Sequence, residues 1–475
     1  MIILKSTQKS ENMSNSSKSK LLLLFLALLS GTGETLAQQV VSGIYVGGHI
    51  RRNRPITIST LRNSGFTYVI LFNVHVESDG TLTTDGETIV KDGEYVFAKT
   101  QPHYQEDVAN LKTAPTSIQR VEICIGGWGN TSYDNIKKLV NSSGTGSNSI
   151  LYKNFKALKD ALPEVEAVNN DDEHCYDAET ASKFHIMMHR LGYKTTLAPY
   201  TNKSFWTSLC SKIHSNRPWA VDRIMVQCYD GGAYNNPSDW NFSGCSTRHA
   251  GRTNYQTDMN TSIAQMETWY KSNAATGGFV WVYNDETWNL NQWASAMNRT
   301  FQCMTVPQED VVINCYSEYN YKGYCVGLPE GEFTQADLAL YGIAANDISS
   351  VEIAKEGYKI RLFRTVDCTG GSYVCSRNTA RMTTAYNNAI RSITIIPDEE
   401  TAVRSIASTE ISLHPENGAI HVQHASGELI SIYNAAGHMI HSAKVELNNE
   451  TISLNSLPRG IYIIHVGDKT AKVKR

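Results

Sequence analysis

The 475-residue sequence predicts an α/β chain, a (β/α)8 TIM barrel followed by two small all-β domains. Three observations carry that prediction. Between residues 38 and 305, short β-branched runs alternate with polar, helix-compatible stretches, the order that gives parallel pairing with helices outside. That segment has about the ~250 residues an eight-stranded α/β barrel needs. Beyond residue 306 the helical periodicity gives way to dense short strands, and one motif occurs twice.

The elements follow in order. Lys18 and Lys20 precede an apolar run over 21–29, and small residues continue to Ala37. A basic region, a short apolar core and a small residue at the cut describe a signal peptide over 1–37. The run is too short to span a bilayer, which takes roughly 20 residues. Strand-like runs then fall at 42–46, 67–76, 121–125, 165–173, 195–200, 224–229 and 278–283. Only seven stand out. The eighth should lie between residues 240 and 268, and an open doubly wound sheet is the competing architecture.

Residues 306–312 read as a linker into the second domain, 310–397. There Tyr316, Tyr321 and Gly323 repeat the spacing of Phe363, Cys368 and Gly370. Each set is followed by a second signature, residues 345–350 and then 387–392, so the domain reads as two related all-β units. After a polar linker, residues 405–475 form a third domain of antiparallel strands with turns at Gly437 and at Pro458 to Gly460.

Composition narrows the function. A net charge of -3 gives no electrostatic case for nucleic acid or an anionic membrane, and 41% hydrophobic content is ample for a core. Ten cysteines in an exported chain permit disulfides, with Cys315–Cys325 and Cys368–Cys375 as local candidates, and none has zinc-like spacing. Cys124 and Cys228 lie in apolar runs and read as buried thiols.

The chemistry concentrates in residues 166–173. On a strand, Asn169, Asp171 and Glu173 share one face, and three polar groups inside a barrel are costly unless paired or functional. A carboxyl two residues from another has its proton held by like-charge repulsion, which suits Glu173 as an acid and Asp171 as its partner, with Asn169 hydrogen-bonded to Asp171. An exposed acidic loop is the other reading of the same residues.

This stretch resembles the DGxDxDxE signature of glycoside hydrolase family 18, the chitinases and endo-β-N-acetylglucosaminidases. Ile125-Gly126-Gly127-Trp128 is similar to the family's third-strand SxGG segment. Residues 225–230, with Gln227, Tyr229 and Asp230, are similar to its sixth strand, and Gly277 to Trp281 to its eighth. The four matches cover most of residues 42–290. The resemblance implies Glu173 as proton donor, Asp171 and Tyr229 steadying the substrate acetamido group, and Asn169, Gln227, Asp230, Trp281 and Trp128 lining the sugar site. It implies cleavage of N-acetylglucosamine-containing glycans, chitin-type or N-glycan, by substrate-assisted retention, without a cofactor. Glu166 replaces the family's first aspartate, Ala167 its glycine and Asn169 the next aspartate. Trp128 also reads as a core residue, and Asp230 as a turn cap.

Two rival readings stand beside the hydrolase: a glycan-binding adhesin on the same barrel, and an extracellular structural protein whose second domain is the working part. That domain resembles the βγ-crystallins, which implies calcium candidates at Asn346, Ser349, Asn387 and Asn388. Ala345 and Arg391 depart from that pattern, and a cationic side chain opposes a divalent ion. The tail resembles the sorting domain of the type IX secretion system, through residues 431–437, 457–462 and a basic end. It implies the secretion machinery as a partner and an extracellular or cell-surface destination.

Overall fold

The computed structural model describes residues 38–253, 258–284, 288–398, 411–416, 418–447 and 449–475. The leader expected over 1–37 lies outside the described residues. Eight parallel strands form the first unit: β1 (Ser42–Val46), β2 (Tyr68–Val76), β3 (Arg120–Gly126), β4 (Val165–Asp171), β5 (Lys194–Leu197), β6 (Val221–Gln227), β7 (Arg248–Thr253) and β8 (Gly277–Tyr283). β1 pairs with both β2 and β8, so the sheet is a closed barrel and not an open one. Helices such as Ala178–Arg190 and Lys203–Asn216 occupy most connections between the strands.

β7 is the strand that the sequence leaves unplaced. It reads Arg-His-Ala-Gly-Arg-Thr, with no apolar run. Its preceding connection from β6 contains two short 3-10 turns, Asp230–Gly232 and Pro237–Asp239, and no α-helix. Tertiary contacts compensate. Arg248 folds back onto the carbonyls of Ala274 (2.5 Å) and Asn273 (3.0 Å), and His249 meets the Tyr68 hydroxyl at 2.7 Å. A side chain at Gly251 would collide with the Phe279 ring at 2.2 Å, so the glycine admits that ring to the interior.

The barrel interior is layered. At the N-terminal ends of the strands Arg120 binds the buried Glu122 (2.6 Å) and, with two nitrogens, the partly exposed Asp222 (2.7 and 3.0 Å). A layer of Tyr45, Ile70, Cys124, Met225 and Phe279 lies above it. Phe72, Asp171, Gln227 and Trp281 face the open C-terminal end.

The second unit is built from two small sheets. Ile313–Glu318, Lys322–Leu328 and Ser350–Ile353 form one; Gly331–Phe333, Tyr358–Phe363, Ser372–Cys375 and Ser392–Pro397 form the other. Gly331–Phe333 crosses from the first repeat into the second repeat's sheet, a Greek-key exchange. The repeat is geometrical as well as sequential. Tyr321 and Cys368 adopt φ 59° and 58°, and Gly323 and Gly370 φ 76° and 81°. In each copy the closing serine pins that corner: Ser350 accepts the Tyr321 N–H at 3.0 Å, and Ser392 the Cys368 N–H at 2.9 Å.

The tail is a third unit of two sheets around Ile420, Val422, Ile430, Ile432, Ile464 and Val466. No helix among the described residues is long and apolar enough to cross a membrane. All ten cysteines are unpaired. The suggested pairs fail for a geometric reason. Cys315 stands opposite Val326, and Cys325 opposite Tyr316, which puts the two thiols on opposite faces of their hairpin. Cys368 directs its thiol at the carbonyls of Phe333 and Ile393, whereas Cys375 packs into the core.

Candidate active site

β4 positions the central residues. Alternation turns Val168 and Asn170 outward, where Asn170 meets His185 at 2.9 Å, and turns Asn169 and Asp171 inward. The strand ends at Asp171, two residues earlier than the sequence suggests. Glu173 therefore sits in a bend beyond it. Asp172 shapes that bend: 2% exposed, its carboxylate accepts the backbone N–H groups of His174, Cys175 and Tyr176 at 3.1, 2.9 and 3.0 Å. The neighbouring charge in the acidic run is thus a loop staple, and Glu173 is left facing the barrel mouth.

Glycines let the next strand approach. A Cβ on Gly126 would lie 2.1 Å from the Asp171 carbonyl, and Gly127, at φ 103°, donates its N–H to that same oxygen at 2.7 Å. The paired glycines after β3 are therefore required by backbone contact with β4.

These elements converge on a cavity of about 610 Å³ at the C-terminal ends of the strands. Asp171, Glu173, Gln227, Tyr229, Asp230, Trp281 and Trp128 all line it. Gln227 donates to Asp171 at 2.8 Å and to the Ala198 carbonyl at 3.0 Å. Trp281 is braced edge-on by Phe72 (4.6 Å between centroids) and Tyr45 (5.2 Å). Trp128 is 91% exposed, which removes the core reading and makes it a wall at the mouth. Asp230 is exposed at the rim with φ 45°.

Asn169 is the exception. Fully buried one layer below, it accepts from the Tyr45 hydroxyl at 3.0 Å and directs its amide at the Met225 sulfur at 3.3 Å. The expected bond to Asp171 is replaced by that from Gln227, and Asn169 supports the floor without lining the cavity. Glu166 faces outward, paired with Lys112 at 2.8 Å. Phe72, Tyr200 and Gly231 also line the cavity without standing out in the sequence, and Gly127 of the third-strand glycine pair joins them. Tyr200 closes a strand-like run, and its position past a strand end was the available signal. Trp206 is core, and Trp288 stacks on Trp293 at 5.6 Å, away from the cavity.

The electrostatics favour protonated carboxyls. Burial, then the Glu173 charge, hold the Asp171 carboxyl well above its ordinary range, against the opposing Gln227 bond. Burial pushes Glu173 up to about 7; the Tyr200 hydroxyl opposes this, and Asp230 and Asp172 add to it. Burial also keeps the Tyr229 hydroxyl protonated and able to donate. Two carboxyls raised together beside a hydroxyl donor form an acid site poised near neutrality.

The calcium candidates divide. Ser349 donates to Asn388 Oδ1 at 2.9 Å, and Asn387 Oδ1 is a buried acceptor without a partner. These are neutral oxygens without a carboxylate, a weak set for a hard cation. The complementary half does not fit: Ala345 has no side-chain oxygen, and Arg391 bonds Gln335 at 2.7 Å. Asn346, at φ 60°, lines the cleft between module and barrel.

Comparison with known proteins bears on the two smaller units. The secretion system C-terminal sorting domain family matches residues 414–475. The development-specific protein S homolog of Myxococcus xanthus is 35% identical over 130 residues, 27% of this chain and 70% of that protein. A βγ-crystallin domain from Flavobacterium johnsoniae is 32% identical, covering 18% of this chain and 96% of its own, with a TM-score of 0.18. The N-terminal domain of protein S is 32% identical, covering 18% of this chain and 94% of its own, with a TM-score of 0.17. Through that 130-residue stretch the chain belongs to the family of the development-specific protein S homolog, and its sorting domain makes it a secreted or cell-surface protein that engages the type IX secretion machinery.

Proposed function

We propose that the barrel is a glycoside hydrolase of the family 18 type with TIM-barrel architecture, cleaving β-linked N-acetylglucosamine-containing glycans. The observation that supports this most is the convergence of Asp171, Glu173, Tyr229 and Trp281 on one cavity, with Glu173 raised to about 7. Glu173 protonates the glycosidic oxygen. The substrate's acetamido oxygen attacks the anomeric carbon, so no protein nucleophile is required and configuration is retained. Asp171 and Tyr229 hydrogen-bond the acetamido group as charge develops on it, and Gln227 holds Asp171 in place. Trp281 offers an apolar face to the C–H side of the sugar. A cavity of about 610 Å³ has room for a short run of sugar units.

No cofactor enters this chemistry. A calcium ion at Asn387, Ser349 and Asn388 would be held by neutral oxygens only, so we assign it no more than a weak structural place.

Turnover of a fluorogenic chitobioside and of N-glycoprotein, wild type against Glu173→Gln, tests the proposal. The variant should lose turnover and keep binding. Binding by both proteins with turnover by neither would make the barrel a glycan-binding adhesin.

A further inference from the structure

The last helix of the barrel, Leu290–Thr300, carries a polar stripe where an outer helix ordinarily meets water. Asn291, Ser295 and Asn298 recur at helical spacing, yet they are 8%, 0% and 0% exposed. The Greek-key module covers them. Asn298 accepts from the Ser42 hydroxyl of β1 at 2.6 Å and donates to the Gly65 carbonyl (2.8 Å) and to the module's Ala339 carbonyl (2.9 Å). Asn291 donates to Asn63 (3.1 Å) and Ser64 (3.2 Å) and accepts the module's Ala345 N–H at 2.6 Å. The Arg299 guanidinium lies 4.0 Å from the Tyr324 ring centroid.

From the module's side, helix Gln335–Leu340 straddles both units. Leu338 packs into the module core, while Leu340 belongs to the barrel core. Ala339 is so close that a Cβ on Gly65 would meet its own at 2.4 Å. Gln335 relays the second repeat to the barrel, accepting from Arg391 at 2.7 Å and donating to the Asn63 carbonyl at 3.1 Å. Ala345 and Arg391, the two positions unfit for calcium, are both committed to this contact.

The place of contact matters. β1 is the strand at which the sheet closes, held between β8 and β2. Asn298 joins the start of β1 to the β2 approach and to the module at once. We infer that the Greek-key module is a clamp on the barrel's closing seam, so that barrel and module fold and unfold as one unit and not as two domains on a tether. This inference is independent of the barrel's chemistry.

Calorimetry and native-state hydrogen exchange on the whole chain test it. The wild type should show one joint barrel-and-module transition, separate from that of the tail. Ala339→Arg, which wedges the contact without entering the module core, should raise amide exchange in β1 and in Leu290–Thr300 by roughly ten- to a hundredfold. Protection of the module strand Tyr358–Phe363 should fall with that of β1, because the two share one unfolding transition. Asn291→Ala is the milder companion should the arginine variant fail to fold, and it should move the same amides in the same direction. Two independent wild-type transitions, or unchanged β1 exchange in a folded variant, would overturn the clamp.

Discussion

Glu173→Gln tests the electrostatics of the cavity without requiring a substrate. The substitution keeps the size of the side chain and removes its titration. In the folded chain the Glu173 carboxyl sits at about 7 against an ordinary 4.5. A group raised by folding contributes stability that is full below about 4.5 and is lost as pH climbs through about 7. The displacement has a ceiling of about 3 kcal/mol, and solvent screening at the pocket mouth reduces it to about 1–2 kcal/mol. Removing the Glu173 charge also relieves Asp171, which acts in the same direction. The variant should therefore gain about 1–2 kcal/mol over wild type between pH 4.5 and pH 8. At about 2–4 °C per kcal/mol, the two thermal midpoints should separate by several degrees. Thermal unfolding at fixed ionic strength across that range measures it. A difference that stays flat with pH would mean that the carboxyl titrates as in water, and the buried-acid account would fail.

Two further outcomes follow from the same geometry. Asp172→Ala strands three backbone N–H groups, so it should destabilise the barrel by about 1–3 kcal/mol in denaturant titration and lower turnover by releasing the bend that aims Glu173. On a chitobioside substrate, kcat/KM should fall about tenfold per pH unit above pH 7, because the acid must hold its proton; a limb near 4.5 instead would reject Glu173 as that acid.

Residue alternation along 165–171 was enough to turn Asn169 and Asp171 toward the barrel interior, because side chains on a strand alternate whatever surrounds them. The Tyr321 and Cys368 corners were legible for a similar reason: a local backbone turn imposes its residue types locally. The basic, glycine-punctuated tail likewise declared itself. β7 did not, since its stability comes from Arg248 reaching distant carbonyls and from the Phe279 ring filling the space above Gly251. The partner of Asp171 was equally hidden. Gln227 is 56 residues away in sequence, and only closure of the sheet sets its amide 2.8 Å from the carboxylate while Asn169 turns to Tyr45. The spacing of Asn291, Ser295 and Asn298 on Leu290–Thr300 carries no sign of what covers them, and it is the module that seals them. Patterns within one element depend on backbone geometry and survive in the sequence; partnerships between elements depend on which surfaces the folded chain brings together, and those were decided in three dimensions.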